Sequence, residues 1–213
     1  QTCALPIYSD YTFDDPYFES YGRIFNGSRK KFYKDGSGLA KLYKASYSTL
    51  KASGGNDIIC VKTNSDHAVV QGGAGDDYIT NYSGSEYCSF YGEKGDDEFR
   101  ICREGTYADG GDGNDTFRIW GETAAGIVED VTCAGGDGED VFVYSAGKDV
   151  IYGFENNDML KITGTFSGTY NKSKNEVYFK VGSTANAITL KDFTATTFNV
   201  NGTNYKISGS KLK

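Results

Sequence analysis

Gly110–Arg118 reads GGDGNDTFR, and the same nine-residue pattern recurs in register at four other places. These are Ala52–Cys60 (ASGGNDIIC), Gly72–Thr80 (GGAGDDYIT), Gly92–Arg100 (GEKGDDEFR) and Gly135–Val143 (GGDGEDVFV). The shared template is GGxGxDxUx, where U is a large apolar residue: Ile59, Ile79, Phe99, Phe117 and Phe142. The glycines permit positive φ and a tight turn, so backbone carbonyls can converge on one point. The acidic residue at position six adds a charged oxygen there, the ligand type calcium prefers. Two residues later U points inward on a short strand, because side chains alternate with period two. Turn, ligand and core residue are thus written into nine positions. The expected fold class is all-β, a calcium-stacked parallel β-roll followed by a small C-terminal β cap.

Spacing sharpens the expectation. The position-six aspartates Asp57, Asp77, Asp97, Asp115 and Asp140 are separated by 20, 20, 18 and 25 residues. A two-sided coil of two nonapeptides needs about 18 residues to return to the same side. Nine residues after Asp57, Asp77 and Asp97 stand Asp66, Glu86 and Thr106, none of which carries the glycine set. The roll is therefore expected to have one metal-loaded edge and one edge that turns without metal. With coils about 4.8 Å apart, ligands from successive turns can share an ion. Five good turns leave four gaps between neighbours, and about three to four ions are expected there.

Other readings of Gly/Asp-rich runs fit less well. Disordered linkers lack a large apolar residue at a fixed offset. No segment shows the D-x-[DN]-x-[DN]-G run of an EF-hand with its glutamate at position twelve. Generic β-turn chemistry in an antiparallel sheet does not call for five copies in register.

Composition agrees with a cation-binding repeat protein. The 213 residues carry a formal net charge of −7, 28 glycines and an apolar content of 38%. An acidic chain argues against nucleic acid as a partner. A narrow interior tolerates the low apolar content because metal supplies part of the folding energy. No run approaches the length of a membrane-spanning helix. Residues Gln1–Ile7 (QTCALPI) equal one reading frame of a common sequencing-adapter oligonucleotide, cagacgtgtgctcttccgatc. They are read as a scar, which leaves whatever precedes Tyr8 unseen and sets Cys3 aside. Cys60, Cys88, Cys102 and Cys133 remain, with no C-x-x-C motif among them. They are read as unpaired small hydrophobes or exposed thiols, with disulfides the less favoured alternative.

The organisation expected is a scar at 1–7, an aromatic-rich segment with decayed repeats at 8–50, the calcium-binding roll at 51–152 and the cap at 153–213. Asp35–Tyr43 (DGSGLAKLY) reads as a decayed repeat with Ala40 in the acidic position. Ser145–Tyr152 is a half repeat with Asp149 nine after Asp140. Beyond it, Val177, Phe179 and Val181, then Ile188 and Leu190, then Phe198 and Val200 mark apolar strand faces. Asn201-Gly202 is a hairpin signal. Alternating strands of this kind suit the open end of a stack.

The repeats resemble those of the RTX (repeats-in-toxin) calcium-binding proteins of Gram-negative bacteria. GGAGDDYIT, GGDGNDTFR and GGDGEDVFV match that family's nonapeptide in full, the Ala52 and Gly92 copies in part. Asp149–Ile162 (DVIYGFENNDMLKI) looks like the family's post-repeat element. The resemblance implies that the glycine carbonyls and positions five and six contact calcium. Carried over, the first two turns give Asn56 and Asp57, then Gly72, Gly73, Gly75, Asp76 and Asp77. The third and fourth give Gly92, Gly95, Asp96 and Asp97, then Gly110, Gly111, Gly113, Asn114 and Asp115. The fifth gives Gly135, Gly136, Gly138 and Asp140, with Glu139 at position five. Ser53 and Glu93 replace the second glycine, so the first and third turns are expected to bind less tightly. The resemblance also implies export by type I secretion machinery, folding outside the cell and an extracellular or cell-surface location. A monomer is expected.

No catalytic site is legible. The single histidine, His67, rules out H-E-x-x-H and multi-histidine metal sites, and G-x-S-x-G is absent. His67 is read as an exposed coil residue. Asp76/Asp77 and Asp96/Asp97 are explained as ligand turns, not as paired catalytic carboxylates. The chain is read as a folding and secretion module, with the tail of a secreted adhesin or hydrolase as the alternatives.

Overall fold

The computed structural model describes residues 24–82, 84–119, 130–182 and 186–213, together with the backbone of Arg23, Glu122–Thr123 and Gly126–Ile127. The adapter-like residues 1–7 and the first part of the aromatic-rich segment lie outside this set. Each coil gives one strand to each of two parallel sheets. The first sheet stacks Arg23–Asn26, Gly38–Tyr43, Asp57–Val61, Tyr78–Asn81, Glu98–Ile101, Thr116–Ile119, Val141–Tyr144, Met159–Ile162 and Phe198–Val200. The second stacks Lys31–Lys34, Thr49–Ala52, Val69–Ala74, Ser89–Lys94, Tyr107–Asp112, Thr132–Asp137, Lys148–Tyr152 and Ala187–Lys191. Coils therefore continue past the well-formed repeats in both directions.

The apolar U positions sit in register, Ile59 on Ile79, Ile79 on Phe99, Phe99 on Phe117 and Phe117 on Phe142, all fully buried. The Phe99, Phe117 and Phe142 rings stack with centroids 4.9 Å apart and planes within 11°. Parallel register forces this, since equivalent residues on successive coils are stacked one strand spacing apart. The coils that carry Phe117 and Phe142 present Ala108 and Cys133 from the opposite sheet. Large faces small, which fills a narrow interior at normal density.

One register expectation is corrected. Gly38 pairs with Asp57 and Ala40 with Ile59, so Ala40 takes the inward apolar place and Gly38 the acidic one. Both frames bury Ala40 and Leu42. They differ in coil length: Gly38 to Asp57 is 19 residues, close to the 20 of the next two coils, whereas the Ala40 frame needs 17.

At the C-terminal end Glu176–Val181 and Phe166–Asn171 extend the second sheet in antiparallel pairing beyond Ala187–Lys191. Val177, Phe179 and Val181 face the core and are buried, as their alternation predicts. Phe198–Val200 turns back on Thr203–Tyr205 through Asn201-Gly202, both at positive φ (52° and 80°), the two-residue hairpin expected of that dipeptide. Cys60, Cys88 and Cys133 are free, buried thiols, and burial pushes Cys60 and Cys88 up to about 12. Cys102 is buried too but disulfide-bonded, so for this cysteine the less favoured reading holds.

Candidate metal centre

The glycine-aspartate turns all lie on one edge, where the chain passes from the second sheet to the first. Positions one to three end a second-sheet strand in the last four turns, position one alone does so in the first, and position six opens a first-sheet strand or immediately precedes it. In the fourth turn Gly111 and Gly113 take φ of 105° and 137°, a region closed to most side chains. Glu93, which replaces the position-two glycine in the third turn, is held at φ 77°, at a cost of roughly 1–2 kcal/mol.

The position-six aspartates form a continuous ladder through the buried edge. The Asp57 backbone N–H donates to Asp77 Oδ1 at 2.7 Å, Asp77 to Asp97 at 2.7 Å and Asp97 to Asp115 at 2.7 Å. Asp115 donates to Asp140 at 2.8 Å, and Asp140 to Asp158 at 3.1 Å. These carboxylates are no more than 3% exposed. Each Oδ1 therefore replaces a backbone acceptor at the strand entrance and fixes the coil spacing. Position-five side chains make a second, exposed ladder of opposite sense. Asp76 N–H donates to Asn56 Oδ1, Asp96 to Asp76, Asn114 to Asp96 and Glu139 to Asn114, at 2.7–3.1 Å.

The second oxygens of the buried ladder are the unusual atoms. Oδ2 of Asp57, Asp77, Asp97, Asp115 and Asp140 is buried and has no donor. Such an atom is costly unless a proton or a cation meets it. Its surroundings are all oxygen. A Cβ built on Gly72, Gly92 or Gly110 would collide with the Oδ2 of its own turn's aspartate and press on the position-one carbonyl of the next coil, that of Gly92, Gly110 or Gly135. At position four, a Cβ on Gly95, Gly113 or Gly138 would meet the carbonyls of Gly75, Gly95 and Gly113 on the preceding coil. Glycine is needed at these places for room as well as for φ. Among the described residues no three His, Cys, Asp or Glu side chains converge as a metal cluster, so the donor set consists of single carboxylate oxygens plus carbonyls. That set suits a hard, oxygen-seeking cation and not zinc.

Burial raises these carboxyls. Asp77 and Asp115 are pushed up to about 7, Asp97 to about 8 and Asp140 to about 6. Loss of hydration is the largest cause, and neighbouring carboxylates add to it, while the backbone N–H on each aspartate works the other way.

Both ends of the ladder are closed by the protein itself. At the C-terminal end Asp158 Oδ1 accepts from Asp140 N–H, and its Oδ2 accepts from Glu155 N–H at 2.7 Å, so neither oxygen is left over. At the N-terminal end the ammonium of Lys34, 4% exposed, contacts Asp57 Oδ1 and the Gly36 carbonyl. Neither residue was singled out from the sequence as part of the site. Asp158 had a signal, since it stands 18 residues after Asp140 with Leu160 in the apolar place. Lys34 had none beyond its own charge.

The opposite edge closes mainly through buried hydroxyls, with one buried carboxylate near its C-terminal end, Asp149, whose Oδ1 accepts from Val131 N–H at 2.9 Å. Ser48 Oγ accepts from Lys30 N–H at 3.0 Å, Ser65 Oγ from Ala45 N–H at 3.1 Å and Ser85 Oγ from Tyr82 N–H at 2.9 Å. Thr106 Oγ1 accepts from Asn81 Nδ2 at 2.8 Å and donates to the Arg103 carbonyl at 2.9 Å. The serine column was missed in the sequence, although its 17-, 20- and 21-residue steps follow the repeat. Asp66 Oδ1 accepts from Glu86 N–H at 3.0 Å. His67 is exposed, but it is also stacked between Tyr47 and Tyr87 at 4.6 and 5.3 Å, a column on the outside of the turn.

No family model matches the sequence, and no curated protein matches it. Among solved structures, the extracellular lipase LipA from Serratia marcescens is similar at 15% identity with a TM-score of 0.22. The match covers 79% of this chain and 37% of that one, so the chain spans little more than a third of that protein's length.

Proposed function

We propose that the glycine-aspartate edge binds calcium between successive coils and that this binding completes the fold of a secreted bacterial module. The observation that carries the reading is the column of buried Oδ2 atoms without donors, each on the same edge and at the same place in its coil. Asp77, Asp97 and Asp115, with the carbonyls of Gly92, Gly110 and Gly135, are the residues that would hold the ions in the three gaps that share every feature. Asp57 adds a fourth, poorer gap, because its turn has Ala52 at position one. Calcium, when bound, supplies the positive charge that lets these aspartates remain ionised inside the roll. Export by a type I system rests on the resemblance of the repeats to RTX sequences. In that reading the chain stays unfolded where calcium is scarce and folds outside. The chain is assigned no catalytic role.

Circular dichroism in chelator and then in millimolar calcium tests this at neutral pH or above. Gain of β-structure on adding calcium is expected, with three to four ions bound by equilibrium dialysis. Magnesium should substitute poorly, because it demands a small octahedral shell and holds its water. Identical spectra in chelator and calcium would refute the reading.

A further inference from the structure

The coil at the N-terminal end of the ladder lacks an acid at position six. Its register places Gly38 opposite Asp57, so Gly36 stands at position four and Lys34 at position two. Gly36 is the counterpart of Gly75, Gly95 and Gly113, whose carbonyls lie in the gaps between later coils. In this gap the ammonium of Lys34 contacts both the Gly36 carbonyl and Asp57 Oδ1. Its oxygen partners are thus of the two kinds, position-four carbonyl and position-six carboxylate, that the later gaps offer. The Lys34 side chain is only 5% exposed and that of Asp57 is 0% exposed. A buried ammonium is held only where oxygens compensate its lost hydration.

We propose that Lys34 is a tethered cation that takes the place of a metal ion in the gap between the Gly38 coil and the Asp57 coil, so that this junction is neutralised by the chain and only the gaps from Asp57–Asp77 onward recruit calcium. The inference rests on the calcium reading of the later gaps and extends it. A gap with one buried carboxylate and no position-six acid on the preceding coil is a poor divalent site. A single positive charge matches it, and a lysine stem reaching from position two delivers that charge without mass action. It also gives the stack one coil junction whose counter-charge is present before any ion arrives.

The test compares wild type with Lys34→Ala and Lys34→Met, reading ion number by equilibrium dialysis with calcium and folding by circular dichroism. Lys34→Ala empties the gap and is expected to bind one more calcium ion than wild type at saturation, more weakly than the ions of the later gaps. Lys34→Met keeps the gap filled without charge. It should bind the wild-type number and require roughly fivefold more free calcium to fold, the cost of an unpaired buried charge spread over the ions that bind on folding. An unchanged ion number in Lys34→Ala, or folding of Lys34→Met at the wild-type calcium concentration, would overturn the proposal while leaving the calcium reading intact. Failure of both variants to fold in saturating calcium would also overturn it, since an ion would then be no substitute for the ammonium. Wild type that binds no calcium would remove both.

Discussion

Acid should replace calcium. The ladder carboxyls Asp77, Asp97, Asp115 and Asp140 sit at about 7, 8, 7 and 6 in the metal-free fold, against an ordinary 3.8. A carboxyl whose value is raised on folding favours the fold when protonated. Its contribution is complete below about pH 4 and is lost as the pH climbs through the raised value. Holding one carboxyl at about 7 instead of 3.8 is equivalent to roughly 4 kcal/mol, at about 1.4 kcal/mol per pH unit. Four neighbours do not titrate independently, yet half of the simple total, on the order of 8 kcal/mol, already equals the stability of an ordinary domain. Protein in chelator should therefore be largely unfolded at pH 8 and gain β-structure by pH 5.5, a value chosen to stay above the sequence pI of about 4.8. Circular dichroism along that pH range in chelator is the assay. His67 lies on the opposite edge between Tyr47 and Tyr87, so His67→Gln should leave the acid-induced gain unchanged. A spectrum in chelator that does not move between pH 8 and 5.5 would refute the reasoning that the ladder charges oppose folding.

Three other perturbations separate the parts of the site. Asp97→Asn keeps an acceptor for the Asp77 N–H and removes the charge, so it should retain more structure in chelator at pH 8 than wild type while binding fewer ions. Asp97→Ala loses the acceptor as well and should be worse on both measures by circular dichroism and dialysis. Gly110→Ala drives a methyl into Asp115 Oδ2 and the Gly135 carbonyl and should lose one ion, whereas Gly164→Ala, with open space but φ 96°, should cost about 1–2 kcal/mol in denaturant melts and no ion. On the other edge Ser85→Ala removes a buried hydroxyl that accepts from Tyr82 N–H and donates to the Val61 carbonyl. Tyr82 N–H and the Val61 carbonyl keep each other at 2.9 Å, so the change should cost about 0.5–1.5 kcal/mol in saturating calcium, Asp66→Ala should stay within about 0.5 kcal/mol, and neither should change the ion count.

The parts of the fold that were legible in sequence are those where one residue type has one physical reason to be there. Gly111 and Gly113 need positive φ and room, Asp115 must be acidic and buried, and Phe117 must point inward, so Gly110–Arg118 fixes both its own structure and its register against the coils on either side. The decayed coil was misplaced because DGSG offers two glycine frames that differ by two residues. A slip of two preserves inward and outward faces, so the alternation of Ala40 and Leu42 could not choose between them. Only the coil length did. Lys34 escaped notice for a different reason, since its role depends on a flexible stem reaching a carboxylate 23 residues away, and no local pattern encodes such a reach. The serine column was written in the sequence but in a residue type with too many other uses.

These differences explain why the two edges behave unlike each other. A hydroxyl both donates and accepts, so Ser85 satisfies a backbone N–H on one side and a carbonyl on the other and leaves nothing over. A carboxylate only accepts. Asp97 meets the Asp77 N–H with one oxygen and keeps the other, with its charge, inside the roll. Stacking serines therefore closes an edge unconditionally, whereas stacking aspartates closes it only when protons or cations are supplied from outside. From Ser48 to Thr106 the unconditional turns run along one edge while the conditional turns run along the other, and Asp149 is the one buried aspartate on the hydroxyl edge among the described residues. Folding of the whole stack is thereby tied to the state of the aspartate edge, even though half of its turns make no use of metal.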